Sequence, residues 1–352
     1  MPNVFIPSAE TPFQVGNTSR VDITYGDDGT AVMGDISKPY RTIQQAMNDT
    51  FKGSPVGTVI IGPGSYAEEI DIGTPDADCK YSIIGSGIDV TETTAILFRP
   101  PTNGAFSTTF SISNMNLTGG GAGPTFHVAG QDGDIEIYAT LMRIDNNNIA
   151  MGAFFFDSPG SGAVAVSLHR VFVTDTLGHC MDIRKGAIGA VDSTFLSGTA
   201  NVFSLEGLAN AVLYGCSVVA NGANQHAINH VGGAGTIRLN GCDVQVDAAG
   251  TGNMINTTGA QTAYVQDTRF IRAGGSGGIN MPAGTVYVSD SATDVPGPIT
   301  VTAATVNYKN WADDVGFGAN AAHWAAAVPA NLEDATDRMA AAVSGLLGGL
   351  IP

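Results

Sequence analysis

The feature that most constrains this chain is that it repeats itself. The stretch LYGCSVVA (Leu213–Ala220) recurs as LNGCDVQV (Leu239–Val246), 26 residues further on. Windows of the same kind begin at Thr58, Lys80, Phe110, Ile135, Val164, Ile188, Ala211, Ile237, Ala263 and Val286. Their spacing averages roughly 25 residues, the range in which a periodic sequence means a solenoid. Each window is an alternating strand, a small kink residue (Asn, Asp, Ser or Gly) and a second short strand. One such unit cannot bury its own apolar face, but a stack of them can. The repeat therefore predicts an all-β stack of about ten coils.

A second column of residues carries the same period. Near the ends of six units stand Phe156-Asp157, Ile183-Arg184, Leu205-Glu206, Ile228-Asn229, Ile255-Asn256 and Ile279-Asn280. Successive strand residues face opposite sides, so the apolar member of each pair is expected inside. The three asparagines predict a stacked amide ladder. Cys216 and Cys242 take equivalent places on adjacent coils and should stack about 4.8 Å apart. They are expected as reduced, buried thiols, since a free cysteine behaves as a small hydrophobe.

Composition narrows the class. Of 352 residues 43% are hydrophobic and only 13% charged, which excludes a disordered chain. The formal net charge of −17 disfavours partners bound through phosphates, DNA and RNA among them. Four cysteines without small-domain spacing make neither a disulfide framework nor a zinc site. The opening MPNVFIPSAE has no basic start followed by an apolar run, so no signal peptide is expected. No apolar stretch approaches the roughly 18 residues that span a membrane, so no insertion is expected.

Three regions follow. Residues 1–54 read as an arm and a short capping helix, in which Thr42 caps a face of Ile43, Ala46 and Met47. Such a helix would cover the otherwise open first coil. Residues 55–308 are the coils. Residues 309–352 read as a loop and a helix with Asn331 as N-cap. Leu332, Ala335, Met339, Ala342 and Leu346 follow the 3-4-3-4 spacing of a short coiled-coil seam. The same stripe could instead pack on the last coil of its own chain. Either way a helix this short needs a partner surface.

These residues carry two resemblances. DDGTAVMGDISKPYRTIQQAM followed by GTVIIGPGSYAEEIDI resembles the cap and first coil of the pectin-lyase-like superfamily. That implies a right-handed parallel β-helix and is weak evidence for function. His323-Trp324, Pro329 and the run Ala335–Ala340 resemble the ends of tailed-bacteriophage virion proteins.

The enzymatic motifs of the superfamily do not follow. Gln266-Asp267-Thr268 is similar to the start of a pectinesterase motif, but Arg269 follows and the second motif is missing. Asp27-Asp28 and Asp313-Asp314, the adjacent acids, lie outside the coils, and the lyase signatures have no counterpart. The best cluster independent of the family is Asp157, Arg184 and Glu206. Carboxylates two coils apart would lie roughly 9–10 Å from each other, near the upper separation of an inverting glycosidase pair. Arg184 between them would keep both ionised, which favours a stabilising ladder over an acid catalyst. His226 and His230 stand four apart on a strand-turn path, so helical metal-ligand geometry does not apply. GGGAG (Gly119–Gly123) is not followed by Lys-Ser/Thr, so it reads as a turn.

The expectation is a non-enzymatic, cofactor-free and metal-free structural protein of a tailed-phage virion. It would be a homotrimeric β-helical spike, fibre or capsid-decorating projection on the particle surface. Its partners would be copies of itself and other capsid or tail proteins, with host-surface glycan as a further candidate. The alternatives are a glycan-cleaving tailspike depolymerase, hydrolase or lyase, of the same fold, and a bacterial surface adhesin.

Overall fold

The computed structural model describes residues 17–51, 54–73, 78–98, 107–119, 124–129, 134–146, 152–157, 164–246, 252–272, 278–289, 291–293 and 301–309. They form a mostly β, parallel solenoid of about seven turns with one short helix. Leu332, Ala335, Met339, Ala342 and Leu346, and the helix expected to carry them, lie outside the described residues. The chain divides into two compact units, residues 1–146 with 155–172, and residues 147–154 with 173–352.

In the first unit the strands Thr18–Val21, Val56–Ile61, Cys79–Ile84, Ser107–Thr118 and Asp134–Asn146 pair in parallel succession. Their register aligns Ser19, Val59, Ile83, Ile112 and Ala139 in one inward column. Each of these five is buried. A second ladder, Gly64–Ile72, Thr91–Phe98 and Phe126–Ala129, closes the coil on another side. The strand Thr18–Val21 belongs to the first ladder, so part of the N-terminal region is itself β-structure.

The helix Ile43–Phe51 forms where the sequence predicts it and buries Ile43, Ala46, Met47 and Thr50. Thr42 caps it, its Oγ1 accepting the Gln45 N–H at 3.3 Å. Two carboxylates satisfy further amides near its start. Asp28 accepts from the N–H groups of Arg41 and Thr42 at 2.8 and 3.1 Å. Glu68 accepts from Ile43 and Gln44 at 2.8 and 3.1 Å. Negative charge at the helix N-terminus also matches the helix dipole. Gln44 pins the helix to the strand Gly64–Ile72, donating to the Asp71 carbonyl and accepting from its N–H. Phe51 stacks on Tyr81, with ring centroids 4.0 Å apart.

In the second unit three parallel ladders make the coil. One runs through Ala187–Val191, Asn210–Tyr214, Thr236–Asn240 and Thr262–Gln266 to the second half of Ile279–Ser289. Another runs through Thr194–Ser197, Ser217–Ala220, Asp243–Val246 and Arg269–Arg272. The third runs through Met181–Ile183, Phe203–Glu206, Ile228–Val231 and Ile255–Thr257 to the start of Ile279–Ser289. The turns between coils approach closely. Gly233 has a φ of 66°, and a Cβ there would overlap the Gly207 carbonyl oxygen, so only glycine fits.

The kinks between first and second strands share one solution. A single residue adopts the left-handed conformation, with φ between 45° and 62°: Asn114, Leu141 and Arg170 in the first unit, Asp192, Gly215, Gly241 and Asp267 in the second. Asn, Asp and Gly suit this conformation, whereas Leu141 and Arg170 occupy it against preference. In the second unit the next residue is always a small buried donor. Ser193, Cys216, Cys242 and Thr268 each bond the carbonyl two positions back, at 2.9, 3.3, 3.4 and 2.8 Å. The two cysteines are free, buried thiols in this column, filling the role of serine or threonine.

Candidate functional site

The expected pairs divide as follows. Phe156, Ile183, Leu205, Ile228, Ile255 and Ile279 are all buried, as their parity requires. The register within the third ladder differs from the expected column by two residues. Ile228, Ile255 and Ile279 share one level, but Ile228 pairs with Phe203, and Leu205 pairs with His230. Glu206 therefore neighbours Val231 and not Asn229. A two-residue offset leaves every side chain on its own face, so alternation alone cannot detect it.

The outward face of this ladder carries stacked polar columns. Asp182, Ser204, Asn229, Asn256 and Asn280 stand in register, all half-buried. The asparagines form the expected ladder. Asn280 Nδ2 donates to Asn256 Oδ1 and Asn256 Nδ2 to Asn229 Oδ1, both at 2.8 Å. Beside them, His179 Nδ1 lies 2.9 Å from the Asn201 carbonyl oxygen. Asn201 Oδ1 accepts the His226 N–H at 2.8 Å, and His226 Nδ1 accepts the Asn253 N–H at 2.8 Å. Burial holds the His226 pKa below its ordinary value.

Of the candidate trio, Arg184 directly follows Ile183 and Glu206 directly follows Leu205, and these two apolar residues are register partners. Arg184, just past the end of Met181–Ile183, and Glu206 thus stand on neighbouring coils, and both residues are exposed. Asp157 ends the strand Phe154–Asp157, and its side chain lies outside the described residues. Sequence reasoning missed Asp182. It shares the outward face with Glu206, one strand across and two residues along. Strand spacing and rise put the two backbones about 8 Å apart. The signal was present as the sequence Asp182-Ile183-Arg184, whose alternation puts Asp182 and Arg184 on one side.

The two histidines weighed as a pair do not converge. His230 points inward and is fully buried, while His226 lies half-buried in the outward stack. His230 Nε2 lies 2.9 Å from the Ala209 carbonyl oxygen, which makes it the protonated nitrogen. Its Nδ1 then accepts from Gln261 Nε2 at 2.9 Å. Gln261 also donates to the Gly232 carbonyl and accepts from the Gly259 N–H. Burial lowers the His230 pKa, and the hydrogen bonds to Ala209 and Gly232 oppose that shift. Among the described residues no three His, Cys, Asp or Glu side chains cluster to hold a metal ion.

The other outward face of the second unit carries aromatic residues. Tyr264 and Tyr287 stack with centroids 4.9 Å apart and planes 7° apart. The Arg238 guanidinium lies 5.1 Å from the Tyr264 centroid. Tyr264 thus has the Tyr287 ring and the Arg238 guanidinium as partners for its ring.

No family profile and no curated protein matches the chain. Among solved structures, the A-module of the mannuronan C-5 epimerase AlgE4 of Azotobacter vinelandii is similar at 13% identity and a TM-score of 0.33, over 80% of this chain and 92% of that one.

Proposed function

We propose that the chain is a non-enzymatic structural protein, a right-handed β-helical rod of about ten coils that projects from a tailed-phage particle as a trimeric spike, fibre or capsid decoration. The observation that supports a structural role most is the use made of the outward columns. Amides bond amides in the Asn229–Asn256–Asn280 ladder, and Tyr264 stacks on Tyr287 with the Arg238 guanidinium over its ring. These groups bind one another along the stack, as side chains that stabilise stacked coils do. The phage assignment and the choice of three chains rest on the resemblance of the C-terminal sequence, and the seam through Leu332, Ala335, Met339, Ala342 and Leu346 rests on their 3-4-3-4 spacing.

Sedimentation equilibrium tests the assembly. The full chain should have the mass of three 36.0 kDa protomers. Truncation after Ala330 should leave a soluble species of lower mass. A full-length monomer at micromolar concentration would sink the trimer.

A second reading, a glycan-cleaving depolymerase, is favoured by one observation: Asp182 and Glu206 lie on one outward face with Arg184 beside them. Incubation with host-surface polysaccharide separates the readings. New reducing ends or unsaturated products, lost in Asp182→Asn and Glu206→Gln, would replace the structural reading with the enzymatic one.

A further inference from the structure

Cys216 and Cys242 stack one coil apart in the second unit. The register aligns Tyr214 with Asn240 on one side of them and Ser217 with Asp243 on the other. The Asp243 N–H donates to the Cys216 carbonyl at 2.9 Å, which ties the two kinks directly. Both cysteines are 1% exposed. Cys216 Sγ donates to the Tyr214 carbonyl at 3.3 Å, and Cys242 Sγ contacts the Leu213 and Asn240 carbonyls at 3.4 Å. A thiol is a weak donor, so these bonds do little to hold either proton. The thiols are also hydrogen-bond partners of each other, and that contact holds Cys242 below the ordinary thiol pKa.

The spacing decides what such a pair can hold. Side chains stacked on adjacent parallel strands lie about 4.8 Å apart. A disulfide needs Cβ atoms about 3.5–4.5 Å apart, so closing one here would draw the two coils together. Two metal–sulfur bonds of about 2.3 Å laid end to end span about 4.6 Å, close to the coil spacing. We propose that Cys216 and Cys242 form a two-coordinate site for a soft d10 cation such as Hg2+, held in line between the two sulfurs. Both S–H bonds break, two S–Hg bonds form and two protons leave, so the buried product is neutral and adds no charge to the core. Thiolate sulfur selects soft ions of this kind. Zn2+ in a structural site takes four ligands, and among the described residues no third His, Cys, Asp or Glu clusters with the pair. Entry needs only a local opening. The residue before each cysteine is an exposed glycine, Gly215 or Gly241, so the bend beside the sulfurs carries no side chain there. The site is independent of both the phage and the depolymerase readings.

One equivalent of Hg2+ added to the reduced full chain tests the site, read by native mass spectrometry and by amide hydrogen exchange. The chain should retain one mercury, and the amides of residues 215–217 and 241–243 should gain protection several-fold, on both coils together. Cys216→Ser and Cys242→Ser keep a hydroxyl in the column, as at Ser193, and each should abolish the gain at both kinks. The same amount of Zn2+ should produce no gain. A chain that retains no mercury, or retains it without protection at these kinks, would overturn the proposal. So would a gain that survives in either serine variant, since one sulfur would then suffice. Protection by Zn2+ equal to that by Hg2+ would refute the linear two-sulfur site.

Discussion

The asparagine ladder yields a prediction whose arithmetic can fail. Three side chains share two good hydrogen bonds, each 2.8 Å long, and Asn256 takes part in both. A neutral hydrogen bond contributes about 1 kcal/mol net. Asn229→Ala and Asn280→Ala each remove one bond and should cost about 1 kcal/mol. Asn256→Ala removes both, orphans an acceptor on one side and a donor on the other, and should cost about 2 kcal/mol. The marginal contact from Asn253 Nδ2, at 3.5 Å, adds little. Changing all three to alanine should then cost about 2 kcal/mol, not the sum of about 4, because only two bonds exist to lose. A stacked-coil protein need not unfold in one step, so amide hydrogen exchange around residues 229, 256 and 280 is the better assay. A loss of about 2 kcal/mol is roughly a thirtyfold fall in local protection. If Asn256→Ala costs no more than Asn229→Ala, or if the triple variant is additive, the ladder is not the cooperative unit argued above.

Further outcomes follow from single residues. Ile228 is fully buried, so Ile228→Asp should cost several kcal/mol and abolish a cooperative thermal transition by circular dichroism; a parental melting temperature would show the inward column to be wrong. Cys216→Ser and Cys242→Ser should each stay within about 1 kcal/mol of the parent in urea, since serine fills the same role at Ser193, whereas Cys242→Val should cost more by leaving the kink carbonyl without its donor. Acid should destabilise the second unit through His230. Its folded pKa lies below the ordinary 6.5, so the unfolded chain binds the proton first, and stability is lost as pH falls from 6.5 towards the folded value. Protonation would also aim an Nδ1–H at the donor amide of Gln261. His230→Gln should flatten the pH dependence in urea titrations between about pH 7 and pH 5. An unchanged slope would assign the acid sensitivity to other groups.

Much of the fold was legible because the repeat states it ten times. Each window from Thr58 to Val286 begins within a strand, and the kink residue recurs at Asn114, Asp192, Gly215, Gly241 and Asp267. Leu141 and Arg170 were not legible as kinks, since neither favours the left-handed conformation. His230 has the parity of Ile228, so alternation already implies its burial; the two-residue offset that misaligned Glu206 hid only its place beside Leu205. Periodicity fixes which face a residue takes but not which neighbour it meets. The roles of Asp28 and Glu68 at the helix start were beyond local reading, since one lies 14 residues and the other 25 from the amides they bind. Asp182 carries no mark in the repeat, since it stands just before the recurring apolar-polar pair Ile183-Arg184 and not within it.

The left-handed kink with its following donor has an evolutionary consequence. Each coil of the second unit meets the next through the same short vocabulary: a turning residue, a hydroxyl or thiol that seals the bend, and buried aliphatics at fixed offsets. A stretch cut from one bend to the next carries all of it. Tandem duplication or loss of such a stretch would present the flanking coils with surfaces they already fit. Length would then change in steps of about 4.8 Å without redesign of any interface. The length of the second unit thus becomes a quantity that recombination can set in whole increments, one coil at a time.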